Sequence, residues 1–293
     1  MLKQTGFLLT LLFILGGCAQ TSPSQETYIT QPADGMSADA IFRATFAQHG
    51  GDLLAGLNDV NVAVDGEWHY LITKIQPLVT DEEYRQQSQE RVLVSPRAYA
   101  VHYTGEAGTK WVYRTAEQTQ VAYNQQQISD QQKIAATALT ADAFYLFVLG
   151  PLGLSDRVTN WKRLDDKTWK EKAYYRINGQ LSPGIGLSER DHITLWVDKE
   201  TNLTFRLHIT LEGFEATKGA HVDTTFLAYE SVGQFILPTH FFERVLGPIK
   251  LDAHEWWYTG IDINRGLSKE DISIDGWSDN AAKPAKSLDD VRQ

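Results

Sequence analysis

The most reactive side chain in this sequence is the thiol of Cys18, the only cysteine among 293 residues. It follows a positive charge at Lys3 and an apolar run from Phe7 to Leu15, and Gly16 and Gly17 stand directly before it. A thiolate is a strong nucleophile, and small residues before it fit the cleft of a signal peptidase. At about 1.5 Å per residue, the apolar run covers roughly half of the hydrocarbon core of a bilayer. The pattern therefore predicts a cleaved signal peptide and not a membrane-spanning helix.

The residues Leu15-Gly16-Gly17-Cys18 resemble the lipobox of bacterial lipoproteins. The resemblance implies that residues 1–17 are removed and that Cys18 carries lipid, with palmitate among the acyl chains that hold the protein on a membrane. Asp after the cysteine retains such lipoproteins at the inner membrane, but Ala19 stands here. The resemblance thus implies anchoring at the periplasmic face of the outer membrane. The alternative is an ordinary secretory signal with a chance cysteine.

Histidine is the second residue type that could do chemistry, and the sequence contains eight. Their spacing matches no common metal-ligand pattern such as His-x-His or His-Glu-x-x-His, so we expect no metal and no cofactor. His221 and Asp223 share one face of a predicted strand, where the carboxylate could orient the imidazole. A periplasmic hydrolase built on such a pair is the weakest of three hypotheses, because no nucleophile motif such as Gly-x-Ser-x-Gly accompanies it.

Composition excludes one class of partner and favours one class of fold. Removal of residues 1–17 takes away one of 27 basic residues and none of 37 acidic ones, which leaves a formal charge of −11. With no stripe of Lys and Arg, nucleic acid is excluded as a partner. The 8 tryptophans and 12 tyrosines favour strands over helices.

The chain divides into four parts by composition. Residues 1–17 form the signal peptide, and residues 18–36, rich in Ser, Thr, Gln and Pro, are typical of a flexible lipidated tether. Residues 37–278 form the folded domain. Residues 279–293 are predicted to be a disordered polar tail.

Two helices are predicted among many strands. Ser37 caps the first, which Gly50 and Gly51 interrupt, and Asp130 caps the second, which ends at Leu149. Elsewhere the apolar residues recur with the period of a strand. These segments are 60–64, 91–94, 98–103, 110–113, 121–126, 169–177, 203–211, 235–242 and 256–258.

The pattern differs along the second half of the chain. Segment 203–211 alternates without a break, which predicts one buried face and one solvated face. The segments after Phe235 are apolar on both faces, so both sides of the sheet must be covered there. Helices can cover one side, and a ligand or the inside of a curved sheet can account for the other.

Three stretches together resemble the lipoprotein carrier and receptor family of the bacterial periplasm, the LolA/LolB-like proteins. They are the early helix that ends at His49-Gly50-Gly51, the hairpin from Leu195 to Arg206, and the closing segment from Trp257 to Leu267. The resemblance covers most of residues 37–274. It implies a mainly β (α+β) fold, namely an unclosed antiparallel β half-barrel with a helical lid on its concave side.

The resemblance also implies that the concave face holds acyl chains or another hydrophobic ligand, and that the protein is not an enzyme. The candidate cavity-lining residues are Phe144 and Phe147 on the lid helix and Trp196, Phe241 and Trp257 on strands. The alternative for these residues is an ordinary structural core.

The receptor members of that family carry an exposed leucine between two early strands. The apolar loop Leu152-Gly153-Leu154 instead follows the second helix in this chain. An exposed apolar loop can bind a partner. The second hypothesis is therefore an envelope interaction or scaffold lipoprotein without a ligand, in which this loop contacts an envelope protein.

Overall fold

The structure is a computed structural model and describes residues 20–292. Thirteen antiparallel strands form one sheet in the order β6-β5-β4-β3-β2-β1-β13-β12-β11-β10-β9-β8-β7. The order begins at β6 and ends at β7, so the sheet is an open half-barrel. The predicted fold class is confirmed. The predicted signal peptide, Cys18 and Ala19 lie outside the described residues.

Most predicted segments coincide with strands, but segments 121–126 and 169–177 each contain a hairpin turn, at residues 124–125 and 170–171, where φ is positive. The bounds of the strands are β1 Asp59–Trp68, β2 Gln87–Leu93, β3 Ala98–Gly105, β4 Gly108–Thr115, β5 Thr119–Tyr123, β6 Gln126–Gln127, β7 Val158–Trp169, β8 Lys172–Leu181, β9 Asp191–Asp198, β10 Thr204–Thr210, β11 His221–Val232, β12 Phe235–Gly247 and β13 Leu251–Ile263.

Both predicted helices form, and three short ones join them. The bounds are α1 Ala38–Gln48, α2 Tyr70–Ile75, α3 Pro77–Thr80, α4 Gln131–Leu149 and α5 Leu288–Val291. The predicted caps are present. The Ser37 hydroxyl accepts the Ala40 N–H at 3.2 Å, and the Asp130 carboxylate accepts two N–H groups of the first turn of α4. Gly50 ends α1 because its φ of 90° suits glycine.

The face of the sheet that α1 to α4 cover is called the inner face here. Helix α1 packs on β7 and β8, and α4 packs on β3, β4, β5 and β12. Residues 131–154 are apolar and long enough to cross a membrane, but 78% of the most apolar stretch is buried inside the protein, as in a core helix. The helical lid predicted on the concave side therefore consists mainly of α4.

The apolar loop after α4 lies in the core and not on the surface. Residues Gly150–Leu154 form a 3-10 turn, in which Leu152 is 2% exposed and Leu154 is fully buried. The turn continues the apolar side of α4 into the main hydrophobic cluster. The expected exposure of this loop is wrong, because its leucines belong to the main hydrophobic cluster and the turn packs on α1.

The opposite, outer face of the sheet differs from the expectation for segment 203–211. Its polar residues are buried as well: Arg206 is 4% exposed and His208 is 1% exposed. A bulge between Thr204 and Arg206 also turns Phe205 against the ring of Tyr174, at 4.5 Å between centroids. The outer face is therefore a second buried layer.

The first and last segments of the described residues cover this outer face. In the region predicted as a tether, Pro23 is buried, Glu26 pairs with Arg176, and the Tyr28 hydroxyl donates to Asn178 at 3.1 Å. Residues after β13 cover the other half, where Leu267, Ile272, Ile274 and Trp277 pack on apolar side chains of β2, β3 and β4. The second apolar face of the sheet is thus covered in part by the chain itself.

Candidate functional site

An apolar cavity of about 210 Å³ lies on the inner face, between the lid helices and strands β10 to β13. Helices α2 and α3 form one wall, α4 forms the second, and the sheet forms the floor. The apolar lining residues are Trp68, Ile72, Ile75, Val79, Leu139, Ala143, Phe144, Phe147, Ile209, Leu211, Ala216, Ala220, Val222, Val245, Pro248, Ile249, Leu251 and Ala253. Such a lining binds apolar groups through burial alone.

The mouth of the cavity is formed by the connection between β1 and β2. Helix α2 in this connection exposes Tyr70 (70%), Leu71 (60%) and Ile75 (48%), and the β12–β13 turn exposes Ile249 (58%). Ile75 and Ile249 also line the cavity, so the apolar surface continues from the interior to the solvent. Exposed apolar side chains that lead into an apolar cavity are typical of an entry for a hydrophobic ligand.

Arg85 connects the short helices to the floor of the site. Its guanidinium is 4% exposed and donates to the Val79 carbonyl at 2.6 Å, which ties down the end of α3. It also stands 5.0 to 5.2 Å from the rings of Trp68, Tyr103 and Phe144. A buried cation with aromatic rings on several sides is held by cation–π attraction as well as by its hydrogen bond. Arg85 thereby joins the end of α3 to the aromatic side chains beneath it.

Two carboxyl groups lie near Arg85 on the inner face. Glu243 lines the cavity, and burial raises its pKa to about 7. Glu90 lies deeper and accepts a hydrogen bond from Ser88 at 2.9 Å, and burial raises its pKa to about 7 as well. Burial lowers the pKa of His254, which stacks on Trp68 at 3.9 Å. Burial therefore disfavours the charged forms of Glu243, Glu90 and His254.

The structure divides the five predicted cavity residues between the two faces. Phe144 and Phe147 line the cavity. Phe241 lies on the inner face but stacks on Trp256 at 4.8 Å in the core, away from the cavity wall. Trp196 and Trp257 point to the outer face, where Trp196 stands 4.8 Å from Arg206 and Trp257 stacks on a histidine.

The sequence analysis missed α2, α3 and Arg85 as parts of the site. Helix α2 has six residues, which are too few to show a helical period. The local signals that could have indicated these helices are Pro77 at the start of α3 and the apolar pair Tyr70 and Leu71. Nothing in the sequence around Arg85 marks it as buried. Its position depends on rings that come from three distant segments.

The pair suggested for hydrolysis is engaged otherwise. His221 contacts the ring of His208 at 2.8 Å between nitrogens, while the Asp223 carboxylate pairs with Arg206 and Arg244. The aspartate therefore orients two guanidinium groups and not an imidazole. Within residues 20–292, no group of three or more His, Cys, Asp or Glu side chains could hold a metal ion.

Comparison with solved structures finds proteins that superpose on most of this chain. A DUF1329 family protein from Desulfovibrio piger superposes with a TM-score of 0.50 at 13% sequence identity, covering 83% of this chain and 99% of that one. A LolA superfamily protein from Nitrosomonas europaea gives a TM-score of 0.49 at 14% identity, covering 82% and 99% of the two chains. The superposition on the DUF1329 family protein shows a shared fold. No protein-family model matches the sequence, and no curated protein matches it.

The open half-barrel agrees with the fold that the family resemblance of the sequence implies. The cavity lies between the lid helices and the inner face of the half-barrel, which is where the resemblance implies a hydrophobic ligand. The connection between β1 and β2 exposes Leu71. The sequence analysis expected the exposed leucines at Leu152 and Leu154 instead.

Proposed function

We propose that this protein is a lipid-anchored envelope protein that holds a hydrophobic ligand, a lipid or an acyl chain, in the inner-face cavity. Cys18 carries the anchor, and the mature chain lies at the periplasmic face of the outer membrane. Its role is binding and trafficking of lipid or lipoprotein, without catalysis.

The single observation that carries the proposal is the continuous apolar surface from the exposed mouth to the cavity floor. Ile75 and Ile249 are about half exposed at the mouth, and Phe144 and Phe147 are buried at the back. Exposing large apolar side chains costs free energy in a protein that remains monomeric. A hydrophobic ligand that enters between these side chains buries them and thereby offsets this cost.

Arg85 supports a gating role for α2 and α3. Its hydrogen bond to Val79 and its aromatic contacts hold these short helices over the cavity. Helix α2 has six residues and α3 four, so neither is stable without tertiary contacts. Both helices therefore depend on contacts such as those of Arg85, and local loosening of this segment would open the mouth.

The ligand is tested on a chain that starts at residue 19, because this chain lacks the anchor and keeps all thirteen strands. We expect lipid extraction and mass spectrometry to find one class of lipid at a fixed ratio to protein. Ala143→Trp fills the cavity and should abolish this, whereas Ala135→Trp on the same helix, outside the cavity lining, should not. A wild-type protein free of lipid, and unable to take up a fluorescent fatty acid, contradicts the proposal.

The anchor is tested separately on the full chain in bacteria. We expect wild-type protein in the outer-membrane fraction with a lipid-modified Cys18, and Cys18→Ser to block both the modification and the processing. Ala19→Asp should move the protein to the inner membrane. A mature chain that starts elsewhere, or that carries no lipid, contradicts the anchor and leaves the cavity proposal standing.

A scaffold role without a ligand is the second candidate, and the exposed face of α2 favours it. Tyr70 and Leu71 are 70% and 60% exposed, and neither lines the cavity. This face could dock an envelope protein. Crosslinking from residue 71 that recovers one partner at fixed stoichiometry, with an empty cavity, would favour this candidate over ligand binding.

A further inference from the structure

A second pocket, of about 560 Å³, lies on the outer face and has a different character from the cavity. It is called the arginine pocket here. The first described residues of the chain form one side of it, and strands β7 to β10 and β12 form the rest. Its charged and aromatic lining residues are Glu26, Asp165, Lys167, Trp169, Arg176, Trp196, Arg206, Arg244 and Lys250.

The arginine pocket has more positive than negative charge. Arg206 and Arg244 share the single carboxylate of Asp223, at 3.1 and 2.7 Å. Lys167 and Lys250 are exposed and have no ion-pair partner among residues 20–292. The protein as a whole has a formal net charge of −10, so this positive site is a local departure from its general character. Within about 8 Å, the Debye length at physiological salt, the local charge dominates.

Two buried donors in the pocket have no acceptor. Trp196 and Arg176 are each 7% exposed, yet the indole Nε1 of Trp196 and the Nε of Arg176 lack a hydrogen-bond partner among the described residues. A buried N–H without a partner costs about 1–3 kcal/mol. Both residues line the pocket, but protein covers these two nitrogens, so an anion in the pocket would pair with the exposed ammonium groups of Lys167 and Lys250.

The N-terminal residues that line the arginine pocket indicate which source of anions lies nearest to it. Gln20 and Thr21 line the arginine pocket, so Cys18 lies only two residues away along the chain. Trp169 borders both this pocket and a neighbouring groove that contains Leu227, which is 44% exposed. Tryptophan beside an exposed apolar residue and basic side chains is typical of a surface at the membrane–water interface.

We propose that the arginine pocket binds the phosphate of an anionic lipid headgroup in the bilayer, so that the outer face lies against the membrane and the cavity mouth on the inner face stays free. The binding itself needs no anchor. Only the orientation of the anchored protein rests on the proposed lipidation of Cys18.

The test is cosedimentation of the chain that starts at residue 19 with vesicles of phosphatidylcholine, alone or with 30% phosphatidylglycerol. We expect tighter binding to the anionic vesicles, weakened by salt. Lys167→Gln/Lys250→Gln should weaken it roughly 25-fold, at about fivefold for each lysine at an anionic surface. Both lysines are exposed, so the fold should persist, and circular dichroism checks this.

The matched control is Lys133→Gln/Arg190→Gln, which removes the same charge at two exposed positions outside the arginine pocket. The proposal is supported if the control variant binds the anionic vesicles less than about twofold more weakly than the wild type. Equal binding to both vesicle types, or equal loss in the pocket and control variants, overturns it. Inorganic phosphate that quenches tryptophan fluorescence while neither vesicle binds would identify a site for a free anion and overturn the lipid assignment. Cys18 modification is measured separately, so failure of the anchor is distinguishable.

Discussion

The inner face of the sheet packs apolar side chains beneath four helices and leaves a cavity, whereas the outer face buries charges beneath the two ends of the chain. Trp256 and Phe241 stack on the inner face. Arg206, Asp223 and Arg244 form an ion-paired cluster on the outer face of neighbouring strands. Both layers are buried, and the inner face contains the apolar cavity beneath the helices.

The difference follows from the physics of the two kinds of contact. Apolar burial is non-directional, so an apolar wall tolerates a neighbouring void and gains when a guest fills it. A buried charge requires a partner at a fixed distance, so the outer face has little freedom to rearrange. The inner face is therefore suited to exchange a ligand, and the outer face to hold the chain in one position.

Removal of the carboxylate that Arg206 and Arg244 share should destabilise the outer face. Asp223 is fully buried, and Asp223→Ala leaves two guanidinium groups without their partner. We expect a loss of about 3–5 kcal/mol in the free energy of unfolding, measured by urea denaturation. Asp252→Ala at an exposed position should change it by less than about 0.5 kcal/mol. A loss below about 1 kcal/mol at Asp223 would mean that the outer cluster stabilises little.

A buried acid should make the stability of the inner face depend on pH. Burial raises the pKa of Glu90 from 4.5 to about 7, so the folded chain keeps a proton that the unfolded chain has lost. Glu90 therefore costs stability as pH rises from about 4.5 to about 7, by roughly 3 kcal/mol in total. Glu90→Gln should remove this loss.

The measurement is the difference in unfolding free energy between variant and wild type at pH 4 and pH 8. We expect that difference to shift in favour of the variant at pH 8. Buried histidines such as His254 act in the opposite direction, but they are present in both proteins and cancel. Glu106→Gln at an exposed position should show no such shift. A pH-independent difference for Glu90→Gln would refute the buried acid.

Two neighbouring alanines on α4 sharpen the contrast between packed and empty space. Ala141 is 2% exposed in the core, and Ala141→Phe should cost about 1–3 kcal/mol through overpacking. Ala143 lines the cavity, so Ala143→Phe should cost less than about 1 kcal/mol. Thermal and urea unfolding compare the pair. Equal costs would mean that no usable space lies beside Ala143.

The smallest effect on stability is expected at the mouth. Leu71→Ser replaces a side chain that is 60% exposed, so the unfolding free energy should change by less than about 0.5 kcal/mol. Uptake of a fluorescent fatty acid should nevertheless slow. Leu187→Ser, at a leucine 69% exposed outside the mouth, is the control and should leave the rate unchanged. The same rate in both variants would remove Leu71 from the entry path.

Much of the scaffold was predictable because its signals are local. Ser37 and Asp130 cap α1 and α4 with their own side chains, and the alternating valines of β1 identify a strand from period alone. The candidate site was predictable only in part. Phe144 and Phe147 lie on the helix that the sequence identifies as the lid, so they line the cavity.

The remaining site residues depend on distant contacts. Alternation requires Trp256 and Trp257 to point to opposite faces, but the sequence does not say which of them faces inward. The bulge in β1 between Ala63 and Val64 shifts the pairing with β13, and a sequence pattern does not reveal such a shift. Arg85 is buried only because three remote rings meet around it.

By itself, the sequence determined the caps and the strand periodicity, since each depends on neighbours within a few residues. Only the tertiary structure decided which face became the cavity and which became the charged layer. It also placed Leu152 and Leu154 in the core and Leu71 at the surface. The physical reason is that burial is a property of the whole assembled sheet, in which a side chain is covered by residues more than a hundred positions away, as Asn178 is by Tyr28.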